Sequence, residues 1–307
     1  MIGLVIIVLS VLIAIFAEQV APMSYFEQTL ADKNVIPVWV SGLFPTLRPK
    51  SEGGYTNISD KYALGADSLG RDILSRLIHG TRISLSVAVI APLISLLIGV
   101  PYGLLSGYSS RRVDNLMMRF VDIMYAFPTI LLIILLMAFF RADATNMPKD
   151  SLAYALRQID QRFGGLFFIF LGIGITSWMG IARLVRGQVL SLRRRDFVEA
   201  AESIGAQRRD ILFKHILPNV IGPIIIAETL AIPGYISYEA FLSFIGLGVN
   251  RPMPSWGSMI AEGSTVITTY PHQALFPAAA LFVVMFAFNF LGDGLRDALD
   301  PRSQKSV

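Results

Sequence analysis

Two carboxylates, Glu228 and Glu239, sit inside an apolar run of about residues 219–243. A carboxylate at membrane depth is costly, so each must face a partner, a water-filled path or an interface. One reading has both line a conduit and meet a positively charged group in transit. The other has them pair with arginine, or has Glu239 near enough to the surface to be wet. His79, His215 and His272 are isolated, without a second ligand at helical spacing, so each reads as a satisfied or interfacial histidine rather than a metal ligand. Asp67, Gly70 and Asp72 hint at a calcium loop but lack the EF-hand spacing. There is no cysteine, hence no disulfide and no thiolate metal site. No G-x-x-x-x-G-K-[ST] phosphate loop occurs, so the chain itself is expected to bind no ATP, carry no cofactor or metal and catalyse no reaction.

The setting of these residues is hydrophobic. The chain has 307 residues, 54% hydrophobic and 16% charged, against about 25% charged in a soluble domain. Its mean hydropathy is +0.59. The net charge of +4 does not call for nucleic acid. The lysines and arginines flank apolar runs, where membrane topology puts them.

The apolar runs predict an all-α membrane protein with six spans, at about residues 2–17, 83–107, 123–140, 166–185, 219–243 and 275–292. The first competes with a cleaved signal peptide, but it has no basic n-region and no clear small-x-small cleavage site. Residues 18–82 form an extramembrane segment with structure of its own, ending in an interfacial helix that carries Ile73, Leu74, Leu77 and Ile78 on one face. Pro128 lies near the start of the third span, where it kinks the helix. Gly99 and Gly103, and Gly172 and Gly174, allow close helix packing. Residues 246–257 are irregular, and 294–307 form a tail.

A dense polar island, residues 193–219, interrupts this pattern. Asp196 and Glu199 have the spacing of an N-cap and its capping-box partner. Ala200 and Ala201 favour helix and close approach, and Gly205 is placed to end the helix in a left-handed conformation. A second polar helix starts at about Gln207, with Leu212 and Ile216 on one face. Pro218 suits the first turn of the next helix.

Glu199-Ala200-Ala201, Gly205 and Leu217-Pro218 resemble, at matching spacing, the "EAA" loop of ABC-importer permeases. His215 departs from that pattern, where isoleucine is usual, and is similar to the peptide and nickel branch. The segment Leu64–Asp72 with Ser75-Arg76, Gly80, Arg82 and Ser84-Leu85 resembles the same branch. So do Ser106-Gly107-Tyr108, Val113-Asp114, Met117-Met118-Arg119, Phe127-Pro128 and the ending Gly292–Pro301. The chain is most like the "C-type" permease of dipeptide or oligopeptide systems.

The resemblance implies a type I ABC importer transmembrane domain of six transmembrane helices, both termini cytoplasmic, in a bacterial or archaeal inner membrane. It implies a first helix at 1–17, an extracytoplasmic segment at 18–82, a five-helix core at 83–293 with a coupling loop at 187–217, and a cytoplasmic tail at 294–307. It implies a homologous second permease, two ATP-binding subunits that hold ATP and Mg, and an extracytoplasmic peptide-binding protein. Glu199, Ala200, Ala201, Gly205, Arg208, Leu217 and Pro218 would couple to the ATPase. Glu228 and Glu239 would line the path and meet a peptide's amino terminus. Nickel is the alternative substrate, although no His or Met cluster supports a metal path. A secondary transporter or channel, or a non-transporting scaffold, are rivals from other classes.

Charge supports the orientation. Arg111, Arg112 and Arg119 flank one loop; Arg183, Arg186, Arg193, Arg194, Arg195, Arg208, Arg209 and Lys214 crowd the polar island; Arg296, Arg302 and Lys305 mark the tail. The third loop, with Arg141, Lys149, Arg157 and Arg162, counts against it and is outweighed.

Overall fold

The structure, a computed structural model, describes residues 1–44, 46–141, 148 and 150–299. Lys149 of the third loop and Asp300, Pro301, Arg302 and Lys305 of the tail lie outside these residues. The principal helices are α1 (Ile2–Ile15), α2 (Ile73–Tyr108), α3 (Arg111–Tyr125), α4 (Thr129–Arg141), α5 (Leu152–Arg162), α6 (Phe167–Leu192), α7 (Asp196–Ser203), α8 (Arg208–Phe244), α9 (Trp256–Ser264) and α10 (His272–Leu299).

Four of them, α2, α6, α8 and α10, are long and apolar enough to cross a membrane. The pair α3 and α4, bent by 74°, makes a fifth if it is one span. Pro128 sits in the break between them rather than inside a helix, where its missing N–H leaves no rung unmade. Helix α1 is apolar throughout but has 14 residues; it rises about 21 Å against a hydrocarbon core of about 30 Å. Arg82 closes its far end, donating from Nε to the Ala14 carbonyl at 3.0 Å and from Nη2 to that of Ile15 at 3.2 Å.

Helix α2 has 36 residues, about 54 Å of rise, and overshoots any bilayer. Asp72 caps it, accepting from the Ser75 amide at 2.7 Å. The run 73–82 is therefore the first turns of this helix and not a separate interfacial one. Nothing between the Asp72 cap and Pro92 breaks the helix.

Helices α2 and α6 form the tightest pair. A Cβ on Gly99 would lie 2.6 Å from the Trp178 carbonyl oxygen, and one on Gly103 2.6 Å from that of Ala182. One on Gly107 would lie 2.7 Å from Val189 Cβ. Three glycines at four-residue spacing thus let two backbones meet where any side chain would hold them apart. Facing α4, Gly172 gives room to Ile133, and Gly174 gives room to Ile94 of α2.

The segment before α2 folds on itself, through a short helix Val38–Leu43 and isolated bridges joining Ile36 to Ile58 and Pro49 to Thr56. Ile36, Val40 and Leu47 are fully buried there, against Tyr270 and Phe276 at the start of α10. His272 is buried in this contact, among Phe44, Tyr270 and Phe276, and neither ring nitrogen is bonded among the described residues. The expectation of a satisfied or interfacial histidine does not hold at this position.

Candidate functional site: a capped hairpin, two buried carboxylates and a groove

The polar island folds as α7, a turn and the start of α8. Gly205 has φ +82°. The Ala206 amide donates to the Ala201 carbonyl and the Gly205 amide to that of Glu202, each at 3.0 Å. This is a complete Schellman ending, with Ala206 and Ala201 in one apolar cluster. The start of α7 differs from expectation. Arg195 occupies the cap position without a side-chain bond, and Asp196 is the first helical residue, so no capping box forms. Asp196 and Glu199 still lie in the first turn, where carboxylates favour the positive end of the helix.

The two alanines of the motif, about 100° apart around the helix, differ in burial. Ala201 is buried with Val198 against Val185, Val189, Ile211 and Ile216. Glu199, Ala200, Gly205 and Arg208 are exposed. Leu212 and Ile216 are buried, as their spacing predicts. The second helix does not stop before Pro218, because Ile211–Ile216 form a π turn that runs straight into Leu217–Phe244. Pro218 cannot donate to the carbonyl one α-turn back and its ring crowds that carbonyl; the wider turn relieves both problems. Leu217 is half-buried and Pro218 exposed.

Polar contacts root this hairpin in the bundle. Tyr108 donates to Glu202 Oε1 at 2.6 Å, and Arg193 to the Gly107 carbonyl at 3.1 Å. Asp114 of α3 accepts from Arg186 Nε and Nη2 at 2.6 and 2.7 Å, and from Ser106 Oγ at 2.6 Å. Arg183 binds Asp122 at 2.6 Å and lies 4.2 Å from the Tyr125 ring centroid.

Both carboxylates of α8 are buried, and among the described residues neither meets an arginine. Glu228 accepts from Ser95 Oγ of α2 at 2.7 Å and from the Tyr235 hydroxyl at 3.0 Å. Glu239, with no exposed surface, accepts from Ser84 Oγ at 3.2 Å and Ser243 Oγ at 2.6 Å. Glu239 is not wet, and among the described residues hydroxyls rather than the arginines of one reading satisfy both carboxylates. A groove of about 500 Å³ opens between α6 and α8, lined by Tyr125, Thr176, Ser177, Tyr235 and Tyr238 among others. Glu228 lies behind its wall, not on it. The tyrosines were missed in the sequence, although Tyr235 stands seven residues after Glu228 and so on the same helix face.

At the far end of α2, Arg71 and Arg76 are buried between two carboxylates. Arg71 binds Asp67 and Glu262, each at 2.7 Å, and Arg76 binds Asp67 at 2.5 Å and Glu262 at 2.7 Å. Asp67 is therefore engaged by two guanidiniums. This cluster ties Leu64–Asp72 to α9, the helix that Ser255 caps and Trp256-Gly257 begin. Among the described residues, no three His, Cys, Asp or Glu side chains are grouped to hold a metal.

Long apolar helices with a polar hairpin packed on two of them, and a groove between α6 and α8, suit a membrane transport subunit. The chain belongs to the family of binding-protein-dependent transport system inner membrane components, whose pattern it matches over residues 99–305. Residues 1–37 match the N-terminal TM domain of oligopeptide transport permease C. The chain is 40% identical over 305 residues to the oligopeptide transport system permease protein OppC of Bacillus subtilis (strain 168), covering 99% of this chain and 86% of that one. It is 38% identical to OppC of Escherichia coli (strain K12), covering 98% and 86%. It is 36% identical to the dipeptide transport system permease protein DppC of Bacillus subtilis (strain 168), covering 99% and 82%. Its fold matches a chain of the MetNI methionine ABC transporter in an inward-facing conformation, with TM-score 0.54 and 18% identity over 73% of this chain and 97% of that one. The chain is thus an inner-membrane permease subunit with the type I ABC importer fold, and not an enzyme. Subunits of this kind work with ATPase subunits and a binding protein.

Proposed function

We propose that this chain is one of two permease subunits of an ATP-driven importer of di- and oligopeptides. The complex would hold a homologous second permease, two ATP-binding subunits carrying ATP and Mg, and an extracytoplasmic peptide-binding protein. Six spans would place both termini in the cytoplasm, with α1 and the bent α3–α4 pair as the first and third. Residues 18–82 would lie outside, 83–293 would form the core, and 294–307 the cytoplasmic tail.

The observation that carries this reading is the division of labour in the hairpin 187–217. Its inner face, Val198, Ala201, Ile211 and Ile216, is welded to α2 and α6, while Glu199, Ala200, Gly205 and Arg208 are left exposed. A capped hairpin with one face free can receive a rigid-body push from an ATPase and pass it to the bundle. Leu217 and Pro218 lie within α8, so the path runs on along the same helix to the groove. The names of the relatives favour peptides over nickel as the cargo.

The test is uptake into proteoliposomes holding the complete complex, with binding protein outside and ATP inside. Accumulation of a labelled short peptide is expected. Accumulation of chelated nickel alone would overturn the substrate. Uptake by this chain without ATPase subunits, driven by an ion gradient, would overturn the mechanism.

A further inference from the structure

The groove between α6 and α8 carries no formally charged side chain in its lining, yet one wall is backed by a buried carboxylate. Tyr235 donates its phenol hydrogen to Glu228 Oε2 at 3.0 Å. Glu228 Oε1 is engaged by Ser95 Oγ at 2.7 Å. Both oxygens are thereby fixed, and the phenol ring is locked by its only donor. A phenol that has given its hydrogen away offers its oxygen as an acceptor. Tyr235 is 6% exposed, and the hydroxyls of Ser177 and Ser95 lie beside its oxygen, so an N–H donor entering from the groove meets that oxygen together with the Ser177 hydroxyl. The carboxylate behind it, buried where water does not screen it, selects a cation over a neutral group.

We propose that Tyr235 is the groove's recognition residue for a terminal ammonium group, that of a peptide's free amino end, and that Glu228 is its positioning residue. This rests on the reading of the groove as the peptide path. It also moves the contact from Glu228, which is screened from the groove, to the phenol in front of it. Thr176 and Ser177 on the facing helix supply neutral hydroxyls beside the same spot. Such a wall holds any peptide by the one feature all free peptides share and leaves side chains unread.

The test compares uptake of a peptide with uptake of its N-acetylated form, in the complete reconstituted complex with one and the same binding protein. The ratio of the two initial rates is measured in each variant. The binding protein's own preference is common to all variants and cancels when their ratios are compared. Tyr235→Phe removes the acceptor and is expected to lower the free-to-acetylated ratio about tenfold. Glu228→Gln keeps a carbonyl oxygen for the phenol but drops the charge, and is expected to lower the ratio by a smaller factor. A purely structural role would reduce both rates together and leave the ratio unmoved. An unchanged ratio in Tyr235→Phe would overturn the proposal; should that variant not assemble, an unchanged ratio in Glu228→Gln would do so. A wild-type complex that imports neither peptide would instead overturn the proposed function.

Discussion

Asp114 and Arg186 form a two-point ion pair, Nε and Nη2 of the guanidinium against both carboxylate oxygens at 2.6 and 2.7 Å. It joins α3 to the last two turns of α6, where the hairpin 187–217 begins. Burial is partial, with Asp114 at 10% and Arg186 at 29% exposure, and the planar fork fits the carboxylate in a way an ammonium cannot.

Arg186→Lys is expected to destabilise the complex by about 1–2 kcal/mol, because one of two charge-assisted bonds is lost. Arg186→Ala should cost more, since it leaves Asp114 with Ser106 alone. Thermal unfolding in detergent checks the order. Equal midpoints for the lysine variant and wild type would show that the second bond contributes nothing.

Gly205 has open space where a Cβ would point, so only its φ of +82° restricts it. Gly205→Ala should cost about 1–2 kcal/mol of turn stability through backbone strain, and Gly205→Val more. Gly205→Asn should be milder, because asparagine visits the left-handed region. The expected outcome for Gly205→Val is ATP hydrolysis that continues while uptake falls. Fully coupled transport in that variant would sink the claim that this turn sets the angle between α7 and α8.

At Gly103 the restriction is steric. A methyl there meets the Ala182 carbonyl oxygen and Val185 Cβ, both at 2.6 Å. Gly103→Ala must push α2 from α6 and should sharply reduce folded protein. Gly187→Ala, with nothing within 4 Å, should leave the isolated chain's stability near wild type. Yield and monodispersity in detergent distinguish the two.

Glu262 holds two buried guanidiniums, Arg71 at 4% and Arg76 at 3% exposure. Removing it leaves Asp67 to neutralise both. Glu262→Ala is therefore expected to cost on the order of 3 kcal/mol. Arg251→Ala, whose side chain is 83% exposed and 3.9 Å from Glu262, should cost little. Unfolding midpoints that fall equally in both would contradict this.

The long elements and the hairpin were legible in the sequence because each rests on a local signal. Apolar length marks α2, α6, α8 and α10; Gly205 marks the turn; Leu212 and Ile216 mark a face. Boundaries failed where a neighbour decided them. The run 73–82 merges with α2 because Asp72 caps both as one helix. Pro218 does sit in the first turn of Leu217–Phe244, as expected, but the π turn before it joins that helix to the preceding one without a break. The site was half legible. Glu228 and Glu239 stood out as misplaced charges, but Ser95, Ser84 and Ser243 are ordinary residues until folding brings their hydroxyls to the carboxylates. The different burial of Ala200 and Ala201 follows from packing against Val185 and Val189, which no spacing within α7 reveals.

That difference in burial gives the most direct test of how the hairpin works. The chain has no cysteine, so a single introduced thiol carries any label without background. A benzophenone attached to Ala200→Cys, in the assembled complex, should photo-cross-link this chain to the ATP-binding subunit. The same label at Ala201→Cys, a position turned into the bundle, should give cross-links within this chain or none. Strong cross-linking at 200 with little at 201 is the predicted result. No ATPase adduct at either position, or equal adducts at both, would contradict the account of the hairpin as the coupling surface.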